Sequence, residues 1–342
     1  MKSRKAPKHI LVIRLSAMGD VAMTVPVLRA FVQQYPDVKL TVLTRGFFAP
    51  FFRDIENVEV FPVDVKGRHK GVFGLFRLSR ELKQLGIDAV ADLHNVLRSK
   101  ILRFFLLRTP TKQLDKGRSD KKALVSGEVF QQLKTTHERY ADVFRNMGFP
   151  LELSNPNFPE RTPLNPEVLE LLGADTQKWI GIAPFAAHKG KMYPLDLMEE
   201  VIQSLSEDYK IVLFGGGASE IEQLQRIQDA HKNVVSIAGK LTLEEELDVV
   251  SNLDAMVSMD SGNGHMAAML GVKTISIWGV THPYAGFAPF NQPENYLLLA
   301  DRTKFPLIPT SIYGNKYPEG YEEAAGSISP QEVIYKIKAV TQ

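Results

Sequence analysis

The feature that most restricts how this chain can fold is a repeated alternation of short apolar runs with segments of helical spacing. In the first half the apolar runs are His9–Arg14, Val38–Leu43, Val58–Val63 and Ile87–Leu93. In the second half they are Trp179–Ala183, Ile211–Phe214, Val234–Ile237, Leu253–Ser258 and Lys273–Trp278. Continuous apolar runs are what strands buried on both faces show. Strands separated by helices imply parallel sheets with right-handed crossovers. Helical spacing is expected over Val21–Tyr35, Phe47–Asp54, Phe73–Leu85 and Thr135–Met147, and from Leu195 onward. Between the halves, Leu151–Pro166 (LELSNPNFPERTPLNP) is proline-rich and aperiodic, and reads as an interdomain linker.

A length of 342 residues favours two domains, each large enough for its own core. With 44% hydrophobic and 23% charged residues, the composition is that of a soluble globular protein. There is no cysteine, which excludes disulfides, thiolate metal sites, iron–sulfur clusters and thiol nucleophiles. No apolar run approaches the length of a membrane span. The start, MKSRKAPKHILVIRLSAMGD, is basic and then apolar. Arg14 interrupts it early and no small-residue cleavage site follows, so a cytoplasmic strand is expected rather than a signal peptide.

The net charge of +2 conceals an asymmetry. Residues 1–150 hold 27 Lys and Arg against 14 Asp and Glu, whereas residues 151–342 hold 14 against 25. The first half should therefore attract anionic partners, with nucleic acid, anionic lipid and acidic glycan all candidates. Its most basic stretch is Arg98–Lys122, with nine positive residues facing only Asp115 and Asp120. Either it is a solvated face, or it docks an acidic acceptor at a membrane surface, with Arg and Lys on phosphates or carboxylates. No RNA-module signature or organised row of stacking aromatics accompanies it.

Several turns fall where a strand ends and a helix begins, the edge at which open α/β sheets hold ligands. Ser16-Ala17-Met18-Gly19-Asp20 follows the first strand, and Asp20 can be read as a helix cap or as a carboxylate that takes a proton from a hydroxyl. Met259–Gly271 (MDSGNGHMAAMLG) carries Asp260 at a strand end. Ser261, Gly262, Asn263 and Gly264 then make a small polar turn, and an apolar helix begins at His265. Free N–H groups at such a helix start suit a phosphate, while the plainer reading is a turn whose Ser caps the helix. Lys189 and Lys191 lie in another turn leaving a strand, and Gly215-Gly216-Gly217 in a third. Neither the dinucleotide fingerprint nor the Walker motif is present. Thr242 is expected to cap a helix bearing Glu244, and Ser329 to open a final helix.

Taken together, RLSAMGDVAMTVPVLRAF, DLHNVLRSKIL, THERYADVFRNMGF, the Lys191-Met192-Tyr193-Pro194 turn, LFGGGASE, LTLEEEL, MDSGNGHMAAMLGV and IWGVTHP resemble, in order, the ADP-heptose:lipopolysaccharide heptosyltransferases, family 9 of the glycosyltransferases. The resemblance implies a GT-B fold of the α/β class, in which two Rossmann-like domains with parallel sheets face across a cleft. Residues 1–160 would bind the acceptor and 161–328 the nucleotide-sugar, with the helix of 329–342 packing back on the first domain. It implies inverting transfer of a heptose from ADP-heptose to the inner core of lipopolysaccharide, with no cofactor and no metal. Partners would be the nucleotide-sugar donor, an anionic lipid-linked core oligosaccharide and the cytoplasmic face of the inner membrane, not nucleic acid. By position, Asp20 matches the general base. Lys191, Glu244, Asp260, Ser261, Gly262, Asn263, Gly264 and His265 match the donor site. Arg98, Lys100, Arg118 and Lys121 are the candidate acceptor contacts. Where the family usually has Thr-Gly, an apolar residue and Ser-His, this chain has Ser261-Gly262-Asn263-Gly264-His265, which bears on donor identity. The alternatives are a GT-B enzyme acting on another nucleotide-sugar, an epimerase included, and a non-catalytic nucleotide-binding protein.

Overall fold

The computed structural model describes residues 6–173 and 177–342. The chain forms two compact units. The first runs to Lys116 and adds Thr136–Asn157; the second comprises Gly117–Thr135 and Phe158–Gln342.

In the first unit, β1 (His9–Ile13), α1 (Met18–Ala22), α2 (Thr24–Gln34), β2 (Lys39–Thr44), β3 (Val58–Pro62), α3 (Gly71–Gln84), β4 (Ala89–Asp92), α4 (Leu97–Phe105) and β5 (Thr111–Gln113) follow in order. The sheet is parallel, in the order β3-β2-β1-β4-β5, with β1 at its centre. The helix expected over Val21–Tyr35 is two helices. Pro26 has no N–H to donate to the carbonyl of Ala22, so the ladder is interrupted there. The segment expected to be helical at Phe47–Asp54 is a 3-10 turn over Gly46–Phe52 with Pro50 inside it. Next comes α5 (Arg118–Val125), in the second unit, and α6 (Thr136–Arg145) returns to the first. Phe144 of α6 packs on Phe31 of α2 with ring centres 4.7 Å apart, and Phe149 closes the cluster at 5.2 Å from Phe31.

In the second unit, α7 (Pro166–Leu172), β6 (Trp179–Ala183), α8 (Leu195–Leu205), β7 (Lys210–Leu213), α9 (Ala218–Ala230), β8 (Val234–Ser236), α10 (Leu243–Ser251), β9 (Ala255–Met259), α11 (Gly262–Met269), β10 (Thr274–Trp278), β11 (Leu297–Leu299) and α12 (Pro330–Thr341) build a six-stranded parallel sheet. Its order is β11-β10-β9-β6-β7-β8. Helix starts follow the expected chemistry. Thr242 accepts from the Glu245 N–H at 3.3 Å, Glu245 reaches back to the Thr242 N–H at 2.8 Å, and Ser329 accepts from the Glu332 N–H at 3.2 Å.

One expectation changes. α12 does not join the first domain's core: Val333, Ile337 and Val340 are buried in the second unit's core with Ile202 and Leu205 of α8. The proline-rich linker holds the passage from the first unit to the second, after Asn157, and is hydrogen-bonded near both ends. Glu152 exchanges two backbone hydrogen bonds with the Gln34 side chain, and Thr162 N–H donates to Ser251 at 3.1 Å. Among the described residues no helix is long and apolar enough to cross a membrane.

Candidate active site

Each sheet presents one polar group of residues at its carboxyl edge. In the first unit it is built on a buried arginine. Arg14 leaves β1 with its side chain enclosed, donates to the Leu93 carbonyl at 2.8 Å and pairs with Asp20 at 2.5 Å. Asp20 is not the helix cap. Ala17 holds that position and Asp20 lies in the first turn of α1, its carboxylate reaching back to the Ala17 N–H at 3.3 Å. The fully buried Tyr140 donates to the Asp20 carbonyl at 3.3 Å, and the Arg14 guanidinium stands 5.8 Å from its ring. Asp20 is thus held from three sides, yet about a third of its side chain (32%) faces solvent. That is the combination a proton acceptor for an incoming hydroxyl needs: a locked rotamer and an open oxygen.

His94 closes this group beside β4. Its Nδ1 accepts the Leu15 N–H at 3.4 Å, and burial, followed by the Arg14 charge, lowers its pKa to about 4. Asp92 shapes the turn beneath, accepting N–H bonds from His94 and Asn95 at 3.0 and 2.8 Å. The sequence reading passed over Arg14 as a mere interruption of an apolar run. The sequence carries one signal for it, a charge closing an apolar run that reads as a buried strand, which calls for a counter-charge without saying which carboxylate supplies it.

In the second unit the group is centred on Asp260, buried just beyond β9. One oxygen, Oδ2, receives both Lys191 Nζ at 2.8 Å and Thr281 Oγ1 at 2.9 Å. Lys191 ends a 3-10 turn over Lys189–Lys191, and the Gly190 carbonyl accepts the Val280 N–H at 2.9 Å, so the two loops are stapled together. Gly314 adopts φ +73°, and a Cβ there would strike the Lys191 stem, 2.6 Å from its Cδ. Gly314→Ala is therefore expected to cost about 1–3 kcal/mol of stability and to displace the Lys191 ammonium. A melting temperature unchanged within 1–2 °C, roughly what a few tenths of a kcal/mol would give, would reject that.

Ser261 occupies the cap position of α11 but its side chain makes no cap bond, and its Oγ is buried without a partner. The first N–H groups of α11, at Gly262, Asn263 and Gly264, follow it, and Gly264 is packed so closely that a Cβ would strike the Ser258 side chain. His265 is buried one turn in. Glu244 lies exposed in the first turn of α10, whereas Glu246 of the same turn is pushed up to about 7 by burial. Thr281 was missed as a site residue, although its loop had been singled out; only the fold brings it to Asp260.

The candidate acceptor residues are divided. Arg98 and Lys100 lie on α4 in the first unit, while Arg118 and Lys121 lie on α5 in the second, with Lys121 Nζ 4.0 Å from the Phe287 ring centre. Among the described residues no three His, Asp or Glu side chains converge as metal ligands.

Two buried histidines give this protein a pH signature. His282, which accepts the Tyr284 N–H at 3.2 Å, is also lowered to about 4, by burial and then by Arg302. An unfolded chain takes up these protons near 6.5, the folded one only near 4. The stability these two histidines contribute is full above pH 6.5, falls as pH drops towards 4 and levels below it, and Glu246, whose raised carboxyl gains stability as pH falls from about 7 to 4.5, offsets only part of that loss. Melting temperatures measured across that window should decline, and a His94→Asn/His282→Asn variant should decline less; an identical slope would reject the assignment.

The family model for glycosyltransferase family 9 (heptosyltransferase) matches residues 75–306. The chain belongs to glycosyltransferase family 9. It is a glycosyltransferase, and its relatives agree. The lipopolysaccharide core heptosyltransferase OpsX of Haemophilus influenzae is 24% identical over 305 residues, covering 85% of this chain and 84% of that one. The family 9 enzyme from Veillonella parvula superposes with a TM-score of 0.75 at 22% identity, covering 98% of this chain and 97% of that one. The E. coli heptosyltransferase WaaC, solved with ADP, superposes with a TM-score of 0.68 at 20% identity, covering 97% and 99%. The fold is accordingly that of the GT-B heptosyltransferases.

Proposed function

We propose that this family 9 enzyme transfers a heptose from ADP-heptose to a sugar hydroxyl of the lipopolysaccharide inner core, with inversion and without a metal ion. The observation that carries the reading is the Lys191–Asp260–Thr281 cluster beside the α11 N-terminus. A lysine ammonium and free helix N–H groups are the donors a departing diphosphate requires, and they supply the charge stabilisation that a metal ion gives in other transferases. Its relatives include lipopolysaccharide core heptosyltransferases, which supports the choice of sugar and acceptor.

In this mechanism the acceptor hydroxyl oxygen attacks the anomeric carbon as the bond from that carbon to the diphosphate oxygen breaks. Asp20 takes the hydroxyl proton, and ADP leaves with the bonding electrons, its charge met by Lys191 and the α11 N–H groups. Ser261 Oγ, buried and unpartnered, is a further donor to the diphosphate. Glu244 is assigned to a nucleoside hydroxyl. The enzyme would act at the cytoplasmic face of the inner membrane as a peripheral protein.

The test is twofold. Thermal unfolding with ADP, UDP, GDP and CMP at matched concentrations should show stabilisation by ADP alone, about 2.7 kcal/mol at 100 times its Kd. Transfer from ADP-heptose to heptose-free core lipid should then proceed in excess EDTA. Stabilisation by UDP or GDP instead would assign another donor, and donor turnover without acceptor would assign an epimerase.

A further inference from the structure

We infer that the outer face of α3 and α4 is a membrane-docking surface whose partner is an anionic phospholipid bilayer. It deepens the proposal of a peripheral enzyme by naming the surface, and it is independent of the transfer chemistry.

Two neighbouring helices carry the inference. α4 has one apolar stripe in the core, with Leu102 buried, and a second one that the fold leaves open: Leu97 is 75% exposed, Phe104 62%, and Leu107, just past its end, 73%. On α3, which packs against α4, Phe73 is 91% exposed and Val72 and Phe76 about half. Phe76 and Phe105 meet edge to face at 5.4 Å, which joins the two open stripes into one surface. A soluble protein gains nothing by presenting so many large apolar side chains together, and such patches mark interaction sites.

The charge around them selects the partner. Lys100, Phe104, Leu107, Arg108 and Lys112 line an open cavity of about 800 Å³. The Lys100, Arg108 and Lys112 side chains make no ion pair or hydrogen bond with the described residues, unlike Arg103, which binds Gln113 and lies 3.3 Å from Asp92. Arg77, Arg80 and Lys83 are exposed on α3. Apolar side chains interleaved with unpaired cations on a helical face are the pattern of helices that lie in the lipid headgroup region. A protein partner of matching shape would need a complementary acidic groove, whereas a bilayer supplies phosphate and apolar depth together. Each cation near an anionic surface adds about fivefold to binding.

The experiment is flotation of the full-length protein with vesicles of phosphatidylethanolamine and phosphatidylglycerol (3:1), without nucleotide or glycolipid. Binding is expected, with roughly tenfold weakening in Phe104→Ser/Leu107→Ser and about 25-fold in Arg108→Ser/Lys112→Ser. The altered side chains are exposed, so melting temperatures should hold, and Tyr335→Ser on α12, also exposed, should bind as the parent does. Four outcomes would overturn the inference: no binding by the parent protein, equal binding to phosphatidylcholine vesicles, binding indifferent to both double variants, or binding only when core glycolipid is present. The last would make the face an acceptor subsite. Because no donor or acceptor is used, failure here leaves the transfer reaction to be judged on its own test.

Discussion

Asp20→Asn should lower kcat by about 10²–10⁴ while leaving the Kd for ADP within roughly twofold, since ADP is assigned to the other unit's residues and 1.4 kcal/mol already makes tenfold. The substitution keeps the shape, and an amide oxygen can still accept the Ala17 N–H, so α1 should start as before. What it removes is the oxygen basicity needed to take a hydroxyl proton. It also takes the carboxylate charge away from the buried Arg14, which keeps the Leu93 carbonyl and a neutral amide oxygen, and that costs stability. That cost is smaller than for a fully buried pair, because Asp20 is partly in water. The melting temperature separates the two effects. Arg14→Lys serves as the positioning control. It retains a charge near Asp20 but cannot span both Leu93 and Asp20 as the guanidinium does, so kcat should fall less than in Asp20→Asn, with KM little changed. Retention of kcat within tenfold in a well-folded Asp20→Asn protein would remove Asp20 as the base.

Lys191→Met should weaken ADP binding and lower kcat together, the latter by about 10²–10³, comparable to removing one preorganised donor from a developing anion. It should also destabilise the free protein, because Asp260 would be left as a buried carboxylate with Thr281, among the described residues, as its one remaining side-chain donor. The double variant Lys191→Met/Asp260→Asn distinguishes these consequences. Removing both charges should restore much of the lost stability and none of the lost turnover. If Lys191→Met bound ADP as the parent does, Lys191 would be a structural partner of Asp260 and the diphosphate would lie elsewhere.

The sheets themselves were legible because their strands are buried on both faces. Runs such as HILVI and WIGIA have no other economical environment, and each strand expected from such a run was found within two residues at most boundaries. Helix starts at Thr242 and Ser329 were legible for a different reason, since their chemistry is local and complete within four residues. Of the three shortest strands, Val234–Ser236 was legible as part of an apolar run, but Thr111–Gln113 and Leu297–Leu299 were not. Three residues at a sheet edge carry no period, and the first is hidden among lysines and arginines. The break at Met23 was missed because the apolar spacing runs through it, whereas a single absent N–H at Pro26 decides it.

The candidate site divides along the same line. Asp20, Lys191 and the 260–265 turn could be named from the sequence because they fall at strand ends, and in parallel α/β sheets strand ends are where ligands sit. Their partners could not be named. Arg14 meets Asp20 only because α1 turns back over the end of β1, and Thr281 reaches Asp260 only because β10 pairs beside β9. The sequence alone therefore determined the class of fold, the number of sheets and the sheet edge that carries the candidate site, all consequences of local hydrophobic pattern and turn chemistry. The tertiary structure alone decided which charges are neutralised and by what, whether Ser261 caps its helix, and that α12 packs on α8. Burial and ion pairing depend on distances between residues far apart in the chain, and no local pattern encodes those.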